Sequence, residues 1–78
     1  MKVVYLNNEG ERIIFNGSMQ EVLDKLNQEA VYISDVTSKE LKKMLEMINE
    51  TNICKYRNFM EMALIAVLTN IKGGNQLL

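Results

Sequence analysis

The chain has 78 residues, a formal net charge of −1, one cysteine and no histidine. This length corresponds to a single domain, and the small net charge provides no overall electrostatic attraction for nucleic acid or anionic lipid. The lack of histidine excludes Ser-His-Asp and Cys-His catalysis and histidine-type zinc sites, while one cysteine excludes an internal disulfide and a thiolate metal cluster. We therefore expect a non-catalytic protein without a cofactor or a metal.

The N-terminal sequence MKVVYLNNEGER has only a short apolar patch and soon becomes acidic, which is unlike a secretory signal. A single unpaired thiol is typical of proteins in the reducing cytosol. We therefore expect a cytoplasmic protein.

The first elements predicted are two strands, at residues 2–6 and 11–16, that form a hairpin. β-Branched and aromatic residues suit a pleated surface, and the connecting sequence Asn-Asn-Glu-Gly contains residues that tolerate a positive φ. Both strands carry apolar residues on both faces. We therefore expect the sheet to be covered on at least part of both sides.

A helix and a third strand are predicted next. Ser18 and Glu21 have the spacing of a capping box, and apolar residues recur with helical periodicity as far as Leu26. The segment AVYISDV at residues 30–36 is short and rich in β-branched residues, which is typical of a strand. Because a helix between two strands usually joins parallel strands, we expect this strand to lie parallel to the one at residues 11–16.

Two helices are predicted in the remainder of the chain. The first follows a cap at Thr37 or Ser38 and ends before the polar sequence at residues 49–52. The second is a long apolar helix over residues 53–72, which ends at Gly73. The chain is thus predicted to be one α+β domain at residues 1–74, in the order β-β-α-β-α-α, with helices packed on a three-stranded sheet and a frayed tail at residues 75–78.

The segment at residues 53–72 is apolar around more of its circumference than a helix on a small core requires. Two interpretations of Ile65 and Leu68 remain open: another helix of the chain covers them, or a second copy or another protein does. A membrane helix is disfavoured because the uninterrupted apolar run is far shorter than the ~20 residues that a bilayer requires. The residues expected at the interface are Phe59, Met62, Ile65, Ala66 and Leu68.

The function that these features favour is protein binding, by a small, self-associating adaptor, modulator or inhibitor that forms a dimer. Among the methionines, Met47 and Met62 are expected to be the most exposed, since both lie off the apolar stripes of their helices. Cys54 is interpreted as a small packing residue, because no histidine is present to act as its base.

The order of strand, helix, turn and helix over residues 31–72 is similar to that of the ribbon-helix-helix regulators, and FMEMAL at residues 59–64 resembles the apolar spacing at the start of their second helix. In that family two strands pair across a dimer and read the major groove of DNA. The resemblance implies an alternative function as a dimeric, DNA-binding transcriptional regulator. The basic residues that would contact nucleic acid are Lys39, Lys42, Lys43, Lys55 and Arg57.

Overall fold

A computed structural model describes residues 1–69 of the chain. The α+β class, the three-stranded sheet and the order of strands and helices agree with the sequence-based prediction, with a short 3-10 helix added before the last helix. The elements are β1 (Lys2–Asn7), β2 (Arg12–Asn16), α1 (Met19–Glu29), β3 (Ala30–Asp35), α2 (Ser38–Met47), the 3-10 helix (Glu50–Asn52) and α3 (Arg57–Leu68).

The hairpin of β1 and β2 is confirmed, and its turn is held by Asn7. The side-chain oxygen of Asn7 accepts hydrogen bonds from the backbone N–H groups of Glu9 at 3.0 Å and Glu11 at 2.9 Å. Gly10 completes the turn with a φ of 78°, a conformation that a side chain would strain. The turn residues thus set the register in which Val4 pairs with Ile14.

The sheet has the order β2-β1-β3, and β3 pairs with β1 in the antiparallel sense. As predicted, β3 runs in the same direction as β2. The two strands do not pair with each other, because β1 lies between them and pairs with both. The crossover through α1 delivers β3 to the free edge of β1, whose apolar residues can be buried between two neighbours. Two register shifts along this pairing re-aim the side chains of β3.

The hydrophobic core lies between the helices and one face of the sheet. Val3, Tyr5 and Ile33 from that face are fully buried in a cluster with residues of all three helices. On the opposite face Ile14 is 57% exposed and Tyr32 is 36% exposed. Val4 on the same face is only 3% exposed, so this face is covered in part, within the prediction of cover on at least part of both sides.

The first two helices begin at caps that the sequence predicts. The hydroxyl of Ser18 accepts a hydrogen bond from the N–H of Glu21 at 3.1 Å, and the carboxylate of Glu21 accepts one from the N–H of Ser18 at 2.8 Å. In α2 the cap is Thr37, whose hydroxyl accepts from the N–H of Glu40 at 3.2 Å. Reciprocal bonds of this kind satisfy amide groups that have no partner within the helix.

The last helix begins at Arg57, four residues after the predicted start at Ile53, because residues 53–56 form turns. Tyr56 precedes the helix without capping it through its side chain, and its hydroxyl donates a hydrogen bond to Asp24 of α1 at 2.8 Å. The described helix has 12 residues. Its predicted end at residue 72, the cap at Gly73 and the tail at residues 75–78 lie outside the described residues.

Candidate functional site

Three aliphatic side chains of α3 are exposed next to one another. The exposed fractions are 62% for Leu64, 47% for Ile65 and 61% for Leu68. Residues three or four positions apart are neighbours on a helix surface, so Leu68 adjoins both of the others. We refer to Leu64, Ile65 and Leu68 as the α3 strip.

An open groove of about 190 Å³ lies between α2 and α3, beside the strip. Leu64 belongs to the strip and also forms part of the groove wall, so the two features are continuous. The groove is lined by Leu45, Met60, Ala63, Leu64 and Val67. We refer to the strip and the groove together as the α2–α3 surface.

The composition of α3 explains why this surface exists. The helix buries Phe59, Met62, Ala63 and Ala66 against the rest of the domain. Those four positions recur at intervals of three and four residues, so they form one continuous apolar side of the helix, and this side faces the core. The sequence nevertheless continues with leucine and isoleucine on the other side. Apolar residues therefore remain exposed after the core has formed.

The structure separates the five predicted interface residues into two groups. Ile65 and Leu68 are exposed, as an interface requires. Phe59, Met62 and Ala66 are at most 3% exposed: they fill the core and offer almost no surface to a partner. The predicted exposure of Met62 fails for the same reason, whereas Met47 is exposed as predicted.

Leu64 was missed by the sequence prediction, which did not include it among the interface residues. Leu64 and Ala66 are two residues apart and therefore lie on nearly opposite sides of α3. Because Ala66 is buried, Leu64 points outward. The signal that could have identified it is its four-residue spacing from Leu68 and its position after the charged residues Arg57 and Glu61.

Charged side chains border the α2–α3 surface on both helices. On α3, Arg57 and Glu61 form an ion pair at 3.6 Å, and their side chains are 83% and 68% exposed. Glu61 lies one helical turn before Leu64 and Ile65. On α2, the exposed Lys42 lies one turn before Leu45 of the groove wall.

The other predicted nucleic-acid contacts are spread over two elements. Lys39 and Lys43 are exposed on α2, and like Lys42 they form no ion pair with a carboxylate of residues 1–69. Lys55 lies in the turn before α3, where its Nζ is 5.3 Å from the centre of the Tyr56 ring. Of the five basic residues predicted to contact nucleic acid, only Lys39, Lys42 and Lys43 therefore lie together without an ion pair among residues 1–69, on α2.

A second group of ionisable side chains joins α1 to the sheet. The hydroxyl of Tyr5 donates a hydrogen bond to Glu29, which also lies 3.4 Å from the ammonium group of Lys25. Burial of the phenol raises the pKa of Tyr5, and the bond to Glu29 raises it further. The same bond, assisted by Lys25, lowers the pKa of Glu29. This group has the geometry of a tether between two elements.

Neither metal binding nor a membrane span finds support in the described part of the chain. Among residues 1–69, no three His, Cys, Asp or Glu side chains are grouped so that they could hold a metal ion. No helix there is long and apolar enough to cross a bilayer.

Comparison of the chain with protein-family models, curated proteins and solved structures found no match.

Proposed function

We propose that this protein acts without catalysis, by binding another polypeptide through the α2–α3 surface. The observation that carries the proposal is the α3 strip, in which three large aliphatic side chains lie about half exposed or more beside an apolar groove. Single exposed leucines are ordinary on protein surfaces, whereas contiguous apolar patches mark interaction sites.

The energetic basis of such binding is removal of the α3 strip from water. Burial stabilises a complex by ~25 cal/mol for each Å² of apolar surface, and a fully buried leucine or isoleucine contributes about 1.5–3 kcal/mol. Association opposes this with the cost of lost translational and rotational freedom. A partner must therefore cover the groove as well as the strip to bind stably.

The charged residues beside the surface supply a polar rim. Arg57 and Glu61 are well exposed, so their mutual attraction is weakened by solvent and adds little to folding. Rim charges of this kind favour one orientation of a partner over others and raise association rates. Cys54 lies exposed in the turn before α3, so its interpretation as a packing residue is wrong. A single free thiol is typical of a reducing compartment, and we assign the protein to the cytoplasm.

DNA binding in the manner of the ribbon-helix-helix regulators has weaker support. In that family the strand pairs with its counterpart across a dimer, whereas β3 pairs with β1 of the same chain. The exposed side chains of β3 include the apolar residues Val31 and Tyr32, and β3 carries no basic residue. We therefore keep it as the alternative to be tested.

Affinity capture from extracts of the native cell separates these functions. The baits are the wild-type chain, a variant with Leu64→Asp and Leu68→Asp, and a control with Ile14→Asp, which alters a similarly exposed residue on the sheet. We expect the wild type and the control to capture the same polypeptide at low and high salt, and the double variant to lose it.

Two results would contradict the proposal. One is the capture of the same polypeptides by all three baits. The other is the recovery of nucleic acid that high salt releases, since binding to phosphate weakens steeply as the salt concentration rises.

A further inference from the structure

The small size of the domain favours self-association. A single core in a chain of this size rarely supplies more than ~3–5 kcal/mol of stability, and small domains commonly add a disulfide, a metal or a second copy. The chain of 78 residues has one cysteine, and its described residues contain no cluster fit for a metal. Self-association is the stabilising device that remains available.

The shape of the α2–α3 surface gives a second reason. An interface with two-fold symmetry uses the same patch on both copies, so the patch must complement itself. This surface carries projecting side chains, Leu64 and Leu68, beside a groove that can receive such side chains. Rotation of one copy about a two-fold axis therefore offers each strip to the groove of the other copy.

Charge complementarity gives a third reason. The exposed Lys42 lies one helical turn before Leu45 of the groove wall, and Glu61 lies one turn before Leu64 and Ile65 of the strip, so opposite charges lie beside one apolar surface. Lys42 forms no ion pair within residues 1–69, and Glu61 can leave its exposed partner Arg57 at little cost. When two copies meet through this surface, two equivalent contacts between Glu61 and Lys42 can form across the axis.

We infer that the polypeptide bound at the α2–α3 surface is a second copy of this chain. The α3 strip of each copy occupies the groove of the other, and Glu61 of each copy pairs with Lys42 of its mate. The inference rests on the proposed function, because it names the partner of the same surface.

Sedimentation velocity of the purified chain tests the inference over a concentration series from about 1 μM to about 1 mM, which covers weak and moderate affinities. We expect the mass to rise from one chain to two. Lys42→Glu and Glu61→Lys should each raise the dissociation constant by about threefold or more, because each places like charges together. The double reversal should restore the wild-type dissociation constant, because it re-creates an opposite pair.

Two matched variants serve as controls. Lys43→Glu changes the same charge on the same helix, but Lys43 is two residues from Leu45 and therefore points away from the groove. It should leave the dissociation constant unchanged. The variant with Leu64→Asp and Leu68→Asp should remain folded and monomeric, whereas Ile14→Asp should dimerise as the wild type does.

A wild-type chain that stays monomeric throughout the series would overturn the inference. So would a dimer that neither the charge reversals nor the Leu64 and Leu68 substitutions weaken, because it would use another surface. If the chain is monomeric but captures a different polypeptide through the α3 strip, the proposed function stands and only the identity of the partner is wrong. If no polypeptide depends on the strip either, both proposals fail.

Discussion

The side-chain oxygen of Asn27 in α1 accepts a hydrogen bond from the backbone N–H of Phe59 at 2.9 Å, so α1 caps the start of α3. The amide group of Asn27 also donates to the carbonyl of Lys55 at 3.0 Å. In return, Asn58 donates to the carbonyls of Asn27 at 3.1 Å and Ala30 at 3.0 Å, near the end of α1. This exchange of caps fixes the rotation of α3 and thereby decides which of its side chains face outward.

Replacement of Asn27 should destabilise the domain although its side chain is not part of the apolar core. We expect Asn27→Ala to reduce the free energy of unfolding by about 1–2 kcal/mol, since it leaves the N–H of Phe59 without its cap. Asn27→Asp should cost less, because it keeps the acceptor at the positive end of a helix dipole. Urea denaturation measures both, with the exposed neighbour Gln28→Ala as control. Equal stability of the Asn27→Ala and Gln28→Ala variants would show that the cap is unimportant.

The bond between Tyr5 and Glu29 should make stability depend on pH. Because the fold lowers the pKa of Glu29 from its ordinary value of 4.5, this carboxylate stabilises the fold above that pH. Its contribution is lost as the pH falls through the lowered pKa of the folded state. Tyr5→Phe removes the bond, so we expect lower stability at neutral pH and a smaller further loss on acidification.

Denaturation of the wild type and the Tyr5→Phe variant at neutral and acidic pH provides the measurement. The pKa of Glu21 is also lowered, through its hydrogen bonds with Ser18. Its contribution has the same sign and persists in the variant, so some acid sensitivity should remain. An identical pH dependence of the two proteins would mean that the bond does not contribute.

The two sides of α3 should respond very differently to truncation. Phe59→Ala should cost about 3–5 kcal/mol, which is comparable to the whole stability expected for a domain of this size, so cooperative unfolding should be lost. Leu64→Ala should change the stability of the dilute protein by no more than about 0.5 kcal/mol, because Leu64 is mostly exposed. Urea titrations distinguish these outcomes. A large loss on Leu64→Ala in dilute protein would place this residue in the core.

The features that the sequence predicts well are local. The hairpin turn depends on neighbours between Asn7 and Gly10, and the first helix cap depends on Ser18 and Glu21, three positions apart. Their chemistry is complete within a few residues, so short-range rules are sufficient. For Ile65 and Leu68, spacing indicates that they lie off the main apolar side of α3, but it leaves open whether another helix of the chain covers them; the structure leaves both exposed.

The features that the sequence does not predict depend on distant residues. The start of α3 is shifted because the side chain that caps it, Asn27, lies 32 positions before Phe59, from whose N–H it accepts a hydrogen bond. The place of β3 in the sheet depends on which edge of the hairpin the crossover reaches. Burial of Met62 and exposure of Leu64 follow from the rotation at which α1 and β3 hold the helix, and helical periodicity alone leaves that rotation open.

The central claim, that the α3 strip is exposed in the free chain and covered on binding, can be measured through the side-chain methyl groups. In a dilute sample, a soluble paramagnetic agent should broaden the NMR signals of Leu64 and Leu68 as strongly as those of Ile14 on the sheet. As the concentration rises, or when the captured polypeptide is added, the Leu64 and Leu68 signals should become protected while Ile14 stays accessible. Protection of Leu64 and Leu68 at every dilution, or full access under all of these conditions, would contradict the claim.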